Sequence, residues 1–282
     1  MRGNASSIFS VEDHLEPENE NNPDNTDFTE STAPRQTAVN PFDRARAPLP
    51  VPDSARTIQA TIIHRLERLV AGSFASGCDP AFQTAWQALL TLTECYQEEI
   101  LKNARRNVTC SAGCASCCRH WVEDVNSFEA EAIASWLRQH AAEKIPAITD
   151  RCRRDGVALS QLQALVEARL ALLDPAEEGA DIDPTDLLLA SFYRLRKPCP
   201  LLDAGSRSCL VYPLRPLTCR MYVSFSAPAK CVPSYPDDTD IPTYLFDLEE
   251  EADVLIDRLH FKFMKFEGDT GLRSLVLKYL EH

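Results

Sequence analysis

The stretch Cys110-Ser-Ala-Gly-Cys114-Ala-Ser-Cys117-Cys118 places four thiols within nine residues. Four more follow about eighty residues later, at Cys199, Cys209, Cys219 and Cys231. Spacings of two or three residues let one tight turn present several sulfurs to one centre, and thiolates bind zinc and iron–sulfur clusters. Small residues between the first four allow the backbone to wrap closely, and Gly113 is free to take a positive φ. Adjacent Cys117 and Cys118 point in different directions, which leaves room for a second centre. The spacings in the second group are nine, nine and eleven residues. These are too wide for one turn, so a folded loop stiffened by Pro200, Pro213 and Pro216 must gather those ligands.

The surroundings support metal over disulfide. Eleven cysteines are an odd number, leaving Cys78, Cys95 and Cys152 outside the two groups. The opening run MRGNASSIFSVEDHLEPENENN has no apolar core of an export signal, and no stretch nears the ~18–20 apolar residues that span a bilayer. The expectation is a soluble, cytoplasmic protein without membrane association, where clustered cysteines are metal-binding or catalytic. The formal charge of −13 argues against nucleic acid as a partner.

Residues 1–30 carry eight carboxylates against one arginine. Residues 1–52 therefore read as a disordered acidic tail ending in the linker APLPVP. Residues 53–282 read as one helical, cysteine-cluster metal-binding domain. Ile58, Ile62, Leu66 and Leu69 mark a helix that ends at Gly72. Asp79-Pro80 caps a second, with Phe82, Trp86, Leu89, Tyr96 and Ile100 as its stripe and Cys95 as a small core residue. Asn126 and Glu129 form a capping box for a helix continued by Ile133, Trp136, Leu137 and His140 and ended or interrupted by Pro146. Leu159, Leu162, Val166, Leu170 and Leu173 mark another. The run 174–184 reads as a polar loop, 185–195 as a short helix, and 243–266 and 270–281 as C-terminal helices. The predicted fold is mainly α, a helical shell around a loop-rich cysteine cluster, with a short hairpin within 208–225 where Cys-Leu-Val-Tyr and Met-Tyr-Val-Ser have strand character.

Around the cysteines, Arg215 and Arg220 flank Cys219 and are the natural counter-charges of a thiolate-rich, net negative centre. With Tyr212 they are the first candidates for a cofactor-side site. His120 offers an imidazole to complete a site, although a lone neighbouring histidine is more often incidental. Cys152, in the basic run RCRR, reads either as a reactive thiol or as a surface cysteine without function.

The run 110–118 resembles the CxxxCxxCC motif of the YkgJ-type cysteine-cluster family of zinc- or iron-chelating domains. The resemblance extends over Cys199-Pro200-Leu201-Leu202, Cys209-Leu-Val-Tyr212, Arg215-Pro216-Leu-Thr-Cys219-Arg220 and Cys231, covering roughly residues 105–235. It implies chelation of zinc or an iron–sulfur cluster by these eight cysteines and leaves the activity unsettled. One branch, the flagellin lysine N-methylases, joins a similar cluster to methyl transfer.

Two alternatives stand beside a metal-binding protein of this type. One is an iron–sulfur-dependent enzyme using S-adenosylmethionine, such as a protein methyltransferase. Cys110, Cys114 and Cys117 match the spacing of radical S-adenosylmethionine enzymes, but Ser116 replaces the usual aromatic, the motif follows a helix, and no alternating β/α units follow. The other is a zinc-stabilised protein-interaction module, with the acidic tail contacting a protein partner. No H-E-x-x-H, G-x-S-x-G, P-loop or dinucleotide fingerprint is present.

Overall fold

The computed structural model describes residues 49–105, 107–111, 113–172, 184–225, 243–245, 248–268 and 270–282. Residues 1–48 of the tail expected at 1–52, and all but the last residue of the polar loop at 174–184, lie outside them. The described chain is mainly α, as the periodicity predicts. It contains α1 (Asp53–Ala71), α2 (Pro80–Ala104), α3 (Ser127–His140), α4 (Ile145–Leu170), α5 (Pro184–Arg194), α6 (Leu217–Met221), α7 (Glu250–Phe263) and α8 (Leu272–Glu281). Four short strands complete it: β1 (Leu202–Asp203), β2 (Ser208–Cys209), β3 (Tyr222–Ser224) and β4 (Thr243–Leu245).

Local chemistry explains the first elements. In α1, Ala55, Gln59, Ile62, Leu66 and Leu69 recur at helical spacing and are buried, and Gly72 closes the helix by donating its N–H to Arg68 O. Asp79 caps α2 by accepting from Ala81 N at 2.9 Å, with Pro80 just inside the helix. Arg105 ends α2 in the left-handed conformation at φ 51°. Glu129 and Asn126 form the expected capping box of α3.

Helices α1, α2 and α7 pack around one apolar core, with Phe82 edge-on to Phe128 at 5.2 Å and to Phe263 at 4.7 Å. A second core joins α3, α4 and α8 through Ile133, Leu137, Ile148, Leu275 and Val276. Each fully buried large side chain contributes about 1.5–3 kcal/mol relative to exposure. Helix α3 serves both cores, since Phe128 belongs to the first and Ile133 to the second. Among the described residues, no helix is long and apolar enough to cross a membrane.

Several expectations are corrected. Pro146 does not end α3: that helix stops at His140, and Pro146 sits in the first turn of α4, where its missing N–H has no helical partner to lose. His140 is exposed, stacked on Trp136 at 4.9 Å. The strand-like segments of 208–225 do not pair with each other. β2 folds back on β1, with Leu202 opposite Cys209, whereas β3 pairs with β4, Tyr222 opposite Leu245. Residues 243–245 are thus strand, and the helix expected there begins at Glu250.

His260 on α7 is buried, and its Nδ1 accepts from Ser127 N at 3.1 Å at the start of α3. Burial lowers its pKa below the ordinary histidine value, partly opposed by Asp257. Stability from this neutral imidazole is present above the unfolded-state value of about 6.5 and is lost as pH falls toward the lower folded-state value. Thermal melting should therefore weaken as pH drops from about 7 to about 5, and His260→Gln should make that dependence shallower. An identical slope in the variant refutes this assignment.

Candidate metal centre

The first cysteine group is pinned at both ends. Thr109 N donates to Ser224 O at 2.9 Å, and Ser224 N donates to Cys110 Sγ at 3.4 Å, so Cys110 lies along β3. Gly113 has φ 82°, the left-handed conformation expected of it, and Cys114 N closes the turn onto Ser111 O at 2.9 Å. A single 3₁₀ turn, Ser116–Arg119, then carries Cys117 and Cys118.

The second group meets the first through backbone. Cys199 N donates to Cys118 O at 2.6 Å. The β1–β2 hairpin brings Cys209 back beside Leu202. Asp203 fixes its turn, accepting from Ser206 N at 2.9 Å, Ser206 Oγ at 2.8 Å and Lys144 Nζ at 3.2 Å. Those bonds, the backbone one first, hold its carboxyl down at about 2. A 3₁₀ turn at Tyr212–Leu214 leads through Pro216 into α6, which carries Cys219. Glu129 anchors α6, its Oε1 accepting from Leu217 N at 2.9 Å while Oε2 completes the capping box.

Five thiols share the resulting neighbourhood. Cys118 hydrogen-bonds Cys117, and this contact pulls Cys117 down to about 6 against the effect of burial and with help from Arg215. The same bond, then burial, raises Cys118. Burial raises Cys199 and Cys219, and lifts Cys209 to about 11, with Cys199 acting on each of the other two. Burial opposes the Arg215 charge, but Cys219, Cys117 and Cys118 together more than offset it, so its pKa is raised. Cys231 lies outside the described residues. Among the described residues, no three Cys, His, Asp or Glu side chains close into a cage for an ion. The donor chemistry nonetheless suits a thiophilic metal, since the neighbourhood is sulfur with one guanidinium beside it.

Arg220 is placed differently from Arg215. Its Nε donates to Arg215 O at 2.8 Å, its Nη2 to Pro213 O at 2.9 Å and Tyr212 O at 3.2 Å, and its Nη1 pairs with Glu94 on α2. It braces the turn between Cys209 and Cys219. Tyr212, 60% exposed, borders a cleft of about 210 Å³ shared with Leu90, Glu94 and Arg220. His120 stacks on Tyr193 at 4.1 Å, and burial, then Arg273, hold it down at about 4. Cys95 is exposed rather than in the core. Cys152 is buried rather than reactive, its thiol pushed up to about 12 by burial first.

Sequence reasoning missed Arg273. Its Nε donates to Asp155 Oδ2 at 2.9 Å, its Nη1 to His120 O at 2.9 Å and its Nη2 to Lys197 O at 3.4 Å. The available signal was an arginine beside the apolar stripe Leu272, Leu275, Val276 and Tyr279 of α8.

The helical shell thus brings two distant cysteine groups to one sulfur-rich neighbourhood. Residues 109–235, which contain all eight grouped cysteines, match the CxxCxxCC family model, described as "Putative zinc- or iron-chelating domain". The match covers a little under half of the chain. No curated protein and no solved structure matches it.

Arg220→Met should destabilise the protein by about 2–4 kcal/mol, because three carbonyls and Glu94 lose a charged donor. Urea unfolding measures this, and a loss within about 0.5 kcal/mol of wild type, the range of ordinary surface changes, would remove Arg220 as the brace.

Proposed function

We propose that this protein binds zinc or iron through sulfur alone, with ligands drawn from Cys110, Cys114, Cys117, Cys118, Cys199, Cys209, Cys219 and Cys231. Arg215 is the counter-charge of the centre, and Arg220 holds the loop that presents it. The observation that carries this reading is the junction of the two cysteine groups, where the Cys199–Cys118 backbone bond joins segments eighty residues apart and five thiols act on one another.

The ligand type follows from what surrounds the junction. The His120 ring is held in aromatic packing, stacked on Tyr193 at 4.1 Å and against Tyr222 at 5.7 Å, which favours an all-sulfur donor set. Five neighbouring thiols exceed the four that one tetrahedral zinc or one iron–sulfur cluster takes, which leaves room for a second centre. A bound cluster supplies one-electron transfer, whereas zinc saturated by four thiolates supplies structure.

Anaerobic purification followed by metal and acid-labile sulfide analysis tests the reading. Iron with matching sulfide assigns a cluster, and zinc without sulfide assigns a structural site. Cys117→Ser should lower metal content and melting temperature together, because metal binding and folding are linked. Cys95→Ser, on the exposed face of α2, should change neither. Wild-type metal stoichiometry in Cys117→Ser would sink the ligand assignment.

A further inference from the structure

The metal reading leaves a buried ionic group without a role. Arg273 is 1% exposed and Asp155 3% exposed. Besides Arg273, Asp155 has Lys197 Nζ at 3.7 Å from its Oδ1. Two cations thus face one carboxylate, leaving one positive charge in excess. The excess sits on Lys197, whose side chain is 31% exposed, beside the buried Arg273–Asp155 pair.

The position of the guanidinium suggests what balances it. One of its hydrogen bonds goes to the carbonyl two residues past Cys118, and another to the carbonyl two residues before Cys199. Trp121 and Phe192 lie over it, with centroids at 5.3 and 5.1 Å. These rings favour a cation and leave little room for water. Cys152, which shares a core with Cys199, stands three residues from Asp155 on one face of α4, so the ionic group adjoins the second cysteine group.

We propose that Arg273, with Asp155 and Lys197, is the positioning and charge-setting group of the sulfur centre, although Arg273 lies beyond the segment that matches the family. It fixes both cysteine segments through their carbonyls. The net positive charge of the group is a counter-charge for a thiolate-rich, net negative metal centre. The inference rests on the metal reading above.

Two substitutions separate this role from a purely structural one. Arg273→Gln and Asp155→Asn break the same buried pair, so both weaken the fold, but they change the local charge in opposite directions. Zinc affinity of the full-length chain, measured by competition with a chromophoric chelator, should fall about 10- to 100-fold in Arg273→Gln, the usual range for outer-shell partners. In Asp155→Asn it should stay at or above wild type. A parallel fall in both variants assigns the pair to folding alone and overturns the proposal.

Should Arg273→Gln not fold, Lys197→Met removes one positive charge from the partly exposed end of the group. It should weaken zinc binding in the same direction, and unchanged affinity there also overturns the proposal. Failure of the metal reading itself would look different, because the wild-type chain would then take up neither zinc nor iron.

Discussion

A guanidinium buried in an apolar core must have its donors met, and Arg273 meets its own with Asp155 and the carbonyls of His120 and Lys197. That requirement dictates three chain paths at once. Helix α8 must dock against α4, the chain leaving the first cysteine group must pass within reach, and the chain entering the second must arrive beside it. The Cys199–Cys118 backbone bond completes the same junction. Each of these contacts spans a long stretch of sequence, so the sulfur neighbourhood depends on the docking of a helix at the far end of the chain.

Around this junction the electrostatics pull in two directions. Burial favours neutral thiols at Cys199, Cys209 and Cys219. Arg215 and the Cys118 hydrogen bond favour a thiolate at Cys117. Cys117 is therefore pushed toward the anion, while Cys199, Cys209 and Cys219 are pushed toward the protonated thiol. A metal bound by all of them must displace those protons, which makes its affinity pH-dependent and gives nearby fixed positive charge a direct role in binding. The braces around the site are backbone-directed: Arg220 collects the carbonyls of the 212–215 turn, and Glu129 collects the first N–H of α6. Polar groups of this loop are thus met by side chains from surrounding helices, as a loop gathered across wide cysteine spacings requires.

The legible parts of the sequence were those governed by short-range chemistry. Asp79-Pro80, Gly72 and the Asn126–Glu129 box announce helix ends because their partners lie within a turn. Gly113 was readable because a close turn between thiols demands its conformation. Strand pairing was not readable: Tyr222–Ser224 has the same strand character whether it meets 209–212 or 243–245, and the tight turn at 204–207 had already claimed Cys209 for Leu202. Cys95 and Cys152 exchanged their expected settings for a similar reason. A cysteine on a helix is buried or exposed according to which face another helix covers, and the adjacent arginines of RCRR say nothing of that. The chemistry of the cysteine groups was visible by spacing, while the ionic group behind them was hidden in one arginine of a C-terminal helix.

The two apolar cores give the sulfur site a further consequence. Leu217 and Met221 insert α6, and with it Cys219, into the core formed by α1, α2 and α7. Cys199 belongs to the other core, and Cys118 and Cys209 pack against it. The second cysteine group is therefore anchored on both sides, and the distance between its sulfurs is set by how the cores sit against each other. Glu129 spans the same division, since it caps α3 while holding Leu217. A metal held by sulfurs from both sides would tie the cores together through the loop that runs between them. Its binding energy would then act on the relation between the cores more than on either core alone, as expected where a metal site is completed only by the folded chain.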